Sequence, residues 1–499
     1  MIKFGLFCLF FFLAAVPLFA EKPWTVMVFL NGDNDLDSAG KKDVQEMMKV
    51  GGSSALNIVV LQDGYGPDNT RRLVIGCGTA EIEKLPELDM GDWNQAFDFF
   101  KWSVDNYPAQ HYLYVIWNHG DGWRKNPANP LRGISYDFYN NSHISTPQLG
   151  LLSKKMNDYI GRKIDILGYD ACLMAMAEVI CETGDYVDYT VGSEETIPVA
   201  GWPYDLILSS ITAEPGIKSG KLAGEIVRLY QQSYSGGSQG SAEVTLSAIN
   251  SSALPGMIKA LNDFTADLTA SSFYNDRIQG LIEHSQEFMI RDYIDLGDFA
   301  VCLKTDSSGT LKIRAENLLK TLSGSEGAII SNGNTGGSVS RATGLSVYIP
   351  TRVDWDGNRE TYRQLKFSEI SGWDEFLDSL YHPQGISLSF DMLYICDQNG
   401  EYRIDAGDEL NLTAGFSNIG STACGKIIVK MLCQDEYLSL SSASGGSILR
   451  IEAGGSETLK GLKAQVAKNC PVGHVIRLEI SAATTQGELS SVRNVTVGE

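Results

Sequence analysis

The chain has no CxxC pair, no HExxH, no P-loop and no GxGxxG. Zinc ribbons, HExxH metallopeptidases, P-loop nucleotide hydrolases and dinucleotide-binding enzymes are set aside, because each needs those side chains or glycines at those spacings. Basic residues are scarce: 40 Lys and Arg stand against 61 Asp and Glu, a net charge of −21. Such a chain disfavours nucleic acid and anionic membranes as partners. There is no internal repeat. Beyond the first 20 residues no apolar run is long enough to cross a bilayer.

The start of the chain is different. Lys3 precedes an apolar run from Phe4 to Phe19, then Ala20 and a polar Glu21-Lys22-Pro23. A positive end, an apolar middle and a small-residue cut site read as a signal peptide over residues 1–20. The expected location is therefore secreted, periplasmic or at the cell surface. The remaining ~480 residues call for two or three domains. Eight cysteines remain after Cys8. An oxidising compartment permits pairing, but their scatter argues against a dense disulfide scaffold.

Apolar strand-like runs alternate with helical patterns: Trp24–Leu30 before a helix near Leu36–Val50, Asn57–Gln62, Tyr112–Trp117, and Lys163–Leu167 before a helix over Leu173–Asp185. Runs apolar on both faces belong to a mostly parallel sheet covered by helices, so the expected fold is a layered α/β domain over residues 21–383. Near Gln384 the texture changes to short alternating runs separated by turns. Residues 384–499 read as an all-β sandwich.

Sites in open α/β sheets form beyond the carboxyl ends of strands. His119, Asp170 and Cys172 all stand at such ends. Cys172 follows the turn Gly168-Tyr-Asp170 and is placed at a helix N-terminus, where free N–H groups favour a thiolate nucleophile; a buried core cysteine fits the same position. His119 ends "YLYVIWNHGDGW" and can supply a proton carrier near neutral pH, or merely a turn. The N–H groups of Gly120 and Cys172 can receive an oxyanion. Asp170 can pair with a substrate Arg or Lys, or cap a helix. Ser193 and Glu194 follow the next strand and can line the same cleft or form a capping segment, and Gly201–Tyr204 can be a cleft wall or, equally, a packed turn.

Two motifs fail on context. Gly236-Gly-Ser238-Gln-Gly240 matches GxSxG but has no strand before it. Asp33-Asn-Asp35-Leu-Asp37 imitates a calcium loop, yet Ser38 and Val44 replace the required glycine and glutamate; helix capping by Asp33 or Asn34 is the expected role. Oxygen-rich turns hold Asp397, Asn399, Asp405 and Asp408; plain acidic turns are the ordinary reading there and a bound Ca2+ ion the alternative.

Taken together, "VIWNHGDGW", "KIDILGYDACLMAMAEV", "VGSEETIPVAGWPYDLIL", "YIDLGDFA" and "GLSVYIP" resemble the clostripain-like cysteine peptidases, which have a caspase-like fold. The resemblance runs from Trp24 to Tyr381. It implies His119 as general acid/base, Cys172 as nucleophile, and Asp170 in a pocket for Arg or Lys. It also implies self-cleavage in the loop Arg124–Ser135, with Arg124, Lys125 and Arg132 as cut points, no required cofactor, and Ca2+ as an optional promoter. Asp121 departs from the small residue expected in His-Gly-x-Gly-Trp. The C-terminal part resembles Ig-like modules of secreted bacterial proteins. The expected function is a secreted endopeptidase acting on Arg/Lys-containing proteins or peptides. A non-catalytic binding or adhesion protein keeping the fold is the alternative, and the presence of both His119 and Cys172 speaks against it. A metal-dependent hydrolase would need a ligand cluster that the sequence pattern does not show.

Overall fold

The computed structural model describes residues 21–123, 133–270, 275–307, 309–485 and 488–498. The expected signal peptide and the three cut points Arg124, Lys125 and Arg132 lie outside the described residues.

Strands β1 (Lys22–Gly32), β2 (Leu56–Gly64), β3 (Arg71–Gly76), β4 (Thr79–Lys84), β5 (Ala109–Trp117), β8 (Ile164–Asp170) and β9 (Val187–Gly192) belong to a nine-stranded sheet, completed by Val244–Asn250 and Ile329–Thr335. A small hairpin, β6 (Ile134–Asp137) with β7 (Ser142–Ile144), lies between β5 and β8 in the chain. The middle of the sheet runs β9-β8-β5-β1-β2 and is parallel. Both edges are antiparallel, through β3–β4 and through Val244–Asn250 with Ile329–Thr335.

The alternation of side chains explains why the central runs are apolar throughout. Met27 and Phe29 of β1, with Tyr112, Tyr114 and Ile116 of β5, enter the core on one face. Val26, Val28 and Leu30, with Leu113, Val115 and Trp117, enter the core on the other. Helix α2 (Trp93–Asn106) covers the first face through Ala96, Phe97 and Phe100. Helix α1 (Asp37–Val50) covers the second through Ala39, Val44 and Met47. Removing apolar area on both faces stabilises the sheet by ~25 cal/mol per Å² buried. Helix α3 (Thr146–Ile160) is fixed by a capping box between Ser145 and Gln148.

Two local expectations fail. Helix α4 (Ala177–Thr183) starts five residues beyond Cys172, not at it. Residues 171–176 instead run across the strand ends: Leu173 N–H donates to the Glu195 carbonyl (3.2 Å) and Ala175 N–H to the Ser193 carbonyl (2.9 Å). Nor does Asp33 cap α1. Its Oδ1 accepts from the Gly66 N–H (2.8 Å), while the nearby Leu36 N–H donates to Asn34 Oδ1 (2.8 Å).

From Leu388 onward two four-stranded antiparallel sheets face each other around a separate core containing Leu412, Phe416, Val429 and Ile480. This is the all-β sandwich expected for the C-terminal segment. All eight cysteines from Cys77 to Cys470 are free thiols.

Candidate active site

Strands β5 and β8 are neighbours, with Trp117 opposite Asp170. Their ends therefore bring Asn118-His119 and Asp170-Ala171-Cys172 together. His119 and Cys172 both line a pocket of about 230 Å3 whose other walls include Asp170, Ile197, Pro198 and Gly201. The same two residues also line a neighbouring pocket of about 620 Å3, with Gly120, Asp121 and Phe138. The histidine and the thiol thus stand on the partition between two cavities.

Asn118 anchors the histidine. Its side chain donates to the Asn31 carbonyl (2.6 Å) and accepts from the Tyr136 N–H (2.7 Å). His119 Nε2 contacts Asp35 Oδ1 at 2.8 Å, and its ring stacks over Phe138. Gly120 is required by proximity: a Cβ there would lie 2.5 Å from the Cys172 carbonyl oxygen. Asp121, the residue out of pattern, is a brace. Tyr136 donates to its Oδ2 (3.0 Å) and Tyr293 to its carbonyl (2.5 Å).

Cys172 is only partly exposed, and the Ile197 N–H donates to its Sγ (3.2 Å). Burial pushes the thiol up to about 11; the Ile197 bond works against this, and Asp121, Asp170 and Glu195 add to it. The expected helix terminus would have pushed it down. The structure has no helix there, so the resting group is a thiol. Leu173 sits at φ 63, an unfavourable conformation for a branched side chain, held by the bonds of residues 171–176 to Ser193 and Glu195.

Asp170 is buried and lines the smaller pocket. Its Oδ2 accepts from the Trp202 N–H (3.1 Å) and the Tyr204 hydroxyl (3.0 Å). The Gly201–Tyr204 segment, equally a cleft wall or a packed turn in sequence, therefore holds the pocket's acid. Behind it lies Asp43 of α1, a residue the sequence reading passed over, which accepts from Trp117 Nε1 (2.7 Å). Burial first, then the facing Asp170, pushes Asp43 up to about 9; burial pushes Asp170 up to about 7 against its two hydrogen bonds. The signal for Asp43 was available: it is an acid on the buried stripe of Ala39, Gly40, Val44 and Met47.

Ser193 and Glu194 do not line the cleft. Ser193 is buried, with its hydroxyl donating to the Glu195 carbonyl (2.9 Å). Glu194 is buried beneath the strand ends, accepting from the Gly344 N–H (2.9 Å). Burial and the facing Asp295 hold it well above the usual carboxylate range, so it is a neutral acid bonded to Asp295. The turn at Asp397–Asp408 also closes on itself. Asp397 Oδ1 accepts from the N–H groups of Asn399 and Glu401, and Asp408 Oδ2 from that of Asp405.

A model of the Clostripain family, Peptidase C11, matches residues 28–380. The chain belongs to the clostripain family. The chain is 27% identical over 228 residues to clostripain of Hathewaya histolytica, a match covering 38% of this chain and 43% of that protein. It therefore spans less than half the length of that relative. Among solved structures, a secreted C11 cysteine protease from Bacteroides thetaiotaomicron, bound to an irreversible peptide inhibitor, superposes with a TM-score of 0.56 at 21% identity, covering 70% of this chain and 99% of that one. An inactive zymogen C11 protease from Parabacteroides distasonis gives 0.54 at 18% identity, with coverage of 70% and 98%. These likenesses establish the clostripain-type, caspase-like fold. Among the described residues no helix is long and apolar enough to cross a membrane.

Proposed function

We propose that this clostripain-family chain is a secreted cysteine endopeptidase that cleaves after Arg or Lys. The observation that carries the reading is the pocket shared by His119, Cys172 and Asp170. A long cationic side chain that enters a cavity of about 230 Å3 lined by the buried carboxylate of Asp170 can regain its lost hydration through a charge-assisted hydrogen bond. His119 takes the Cys172 proton as the sulfur attacks the scissile carbonyl carbon. The N–H groups of Gly120 and Cys172 receive the oxyanion. His119 then protonates the leaving amine, and water hydrolyses the thioester.

The high thiol pKa gives substrate charge a second role. Asp170 is one of the carboxylates that raise it. A cationic side chain on Asp170 cancels that repulsion and lowers the thiol pKa when a correct substrate is seated. Self-cleavage at Arg124, Lys125 or Arg132 belongs to the same reading, since each is a basic residue that follows the buried Trp123 closely in the chain or directly precedes Gly133. Ca2+ is taken as a promoter, not a reactant.

The test is a panel of coumarin peptides with Arg, Lys, Leu or Asp before the leaving group. Arg or Lys peptides are cleaved, and Cys172→Ala abolishes cleavage. A correctly folded protein that cleaves no basic peptide overturns the reading. On a gel, wild-type chain is nicked and Cys172→Ala is not; identical intact chains overturn self-cleavage.

A further inference from the structure

The two cavities at the dyad share His119 and Cys172 and no other lining residue. Chain segments passing between them give neighbouring residues to opposite sides. Leu36, Ala171 and Ile197 face the smaller cavity, while Asp35, Leu173 and Thr196 face the larger. The larger one, about 620 Å3, differs in character. Its walls carry the apolar side chains of Phe138, Leu173, Met289 and Ile290. Among the described residues its charged lining is Asp35 and Asp121, with no Lys or Arg. Phe138 and Met289 keep 49% and 72% of their surface exposed. Two large apolar side chains left in water beside a catalytic dyad mark a binding surface, since the fold gains little from them there.

Both side chains sit on fixed backbone. The Phe138 N–H donates to the Asp33 carbonyl (2.9 Å), and its ring lies parallel to the His119 imidazole, 6.5 Å between centroids and 7° between planes. The Met289 N–H donates to Glu195 Oε2 (3.0 Å), whose Oε1 accepts from the Thr196 N–H (2.7 Å). An extended peptide turns successive side chains to opposite sides. With the residue before the scissile bond in the Asp170 cavity, its neighbours in the substrate point toward the larger one. The leaving amine decides which neighbour meets Phe138. His119 must reach the scissile nitrogen to protonate it, so the residue carrying that nitrogen lies beside the imidazole. Phe138 is the ring stacked on that imidazole, whereas Met289 is tied to the Thr196 side.

We propose that the Phe138 wall of the larger cavity binds the side chain of the residue after the scissile bond and selects an apolar one, aliphatic or aromatic. The inference rests on the peptidase reading above, in which His119 protonates the leaving amine. A Leu or Phe side chain placed against Phe138 removes apolar surface of both partners from water. Glycine at that position gains nothing. An Asp or Glu meets Asp35 on the same wall and finds no cation to offset the repulsion. Phe138 is thus a specificity-determining residue on the leaving-group side, as Asp170 is on the other. The two requirements are independent, because they are read in different cavities.

The experiment digests a mixed peptide library with wild type, Phe138→Ser and Phe138→Leu, and identifies the cut bonds by mass spectrometry. Residues before and after each bond are scored separately. Cuts that do not follow Arg or Lys sink the basic-residue reading alone, while cuts without an apolar preference after the bond sink this one alone. Internally quenched peptides then carry the residue the library selects before the bond, with Leu, Phe, Gly or Asp after it. Each kcat/KM is taken as a ratio within one protein, so a general loss of activity cancels. Wild type should favour Leu or Phe over Gly by about tenfold, and over Asp by more. Phe138→Ser should bring the Leu/Gly ratio to within about threefold, and Phe138→Leu should keep it. If Phe138→Ser fails to fold, as read by circular dichroism, Phe138→Gln carries the comparison. A wild type indifferent to the residue after the bond, or preferring Gly or Asp there, overturns the proposal. So does a Leu/Gly ratio that survives loss of the ring, or a change confined to the second residue before the bond. No cut at any bond overturns it together with the peptidase reading.

Discussion

Asp43 of α1 and Asp170 of β8 meet beneath Gly201. A Cβ built on that glycine would lie 3.0 Å from Asp170 Oδ2 and 3.3 Å from Asp43 Oδ2. Two buried carboxylates this close cannot both ionise cheaply, and their protons leave in coupled steps. Binding a guanidinium requires the ionised form. The kcat/KM for Arg peptides should therefore rise from pH 6 to 9, mostly through KM, since Asp170 titrates near 7 and Asp43 near 9. Benzamidine binding should release protons, read by calorimetry in buffers of different ionisation enthalpy. Asp170→Asn should lower kcat/KM for Arg peptides by about 100-fold and Asp43→Asn by about 10-fold. Asp43→Asn should also flatten the alkaline part of the profile. An unchanged profile would make Asp43 a bystander.

Gly201→Ala tests the same corner through the backbone. Gly201 has φ 58, and the added methyl would press on both acids. The left-handed conformation alone costs about 1 kcal/mol for alanine. The expected result is about a tenfold rise in KM for Arg peptides with unchanged alkylation of Cys172 in a binding-free assay. Equal loss of both would mean the substitution disturbs the whole site and not the pocket alone.

The thiol offers a test that needs no peptide. With its pKa near 11, Cys172 is about 0.1% thiolate at pH 8. In a Cys77→Ser background, which removes an exposed thiol, iodoacetamide should label Cys172 slowly at pH 8 and faster as pH rises toward 11. Benzamidine should accelerate labelling, because its charge cancels that of Asp170. A labelling rate already saturated at pH 8 would contradict the buried-thiol account.

His119 and Cys172 were legible in the sequence because strand ends are local: an apolar run stops, and a polar residue follows. The helix after Cys172 was misplaced for a non-local reason. Leu173–Met176 fits helical periodicity, yet the N–H groups of Leu173 and Ala175 go to the carbonyls of Glu195 and Ser193, in the segment after β9. Glu194 looked like a cleft residue because it follows a strand. Its partner Asp295 is remote in sequence, so nothing nearby marks it as buried. Asp43 lies within "KKDVQEM", where neighbouring charges disguise a carboxylate that faces the core. Asp33 or Asn34 is the expected cap, since a loop Asp or Asn before a helix usually is one. Only the fold shows the Asp33 carboxylate turned toward Gly66 and Asp63.

Glu178 extends the argument from the pocket to stability. It is fully buried at the start of α4, and its Oε1 accepts from the Tyr348 N–H (3.0 Å) and the Tyr362 hydroxyl (2.7 Å). Burial pushes it up to about 7, against those two bonds. Its folded-state pKa therefore lies above the value of the unfolded chain. The native state keeps a proton that the unfolded chain has released, so stability is full below about pH 4 and falls as pH rises through 7. Asp170 acts in the same direction over the same window. Urea unfolding of the Cys172→Ala protein should show the peptidase-domain transition moving to lower urea between pH 5 and pH 8. Glu178→Gln keeps an acceptor for Tyr348 and Tyr362 and cannot ionise, so it should remove part of that slope and be more stable than its parent at pH 8. A Glu178→Gln midpoint that tracks the parent at every pH would show that Glu178 is already ionised in the fold.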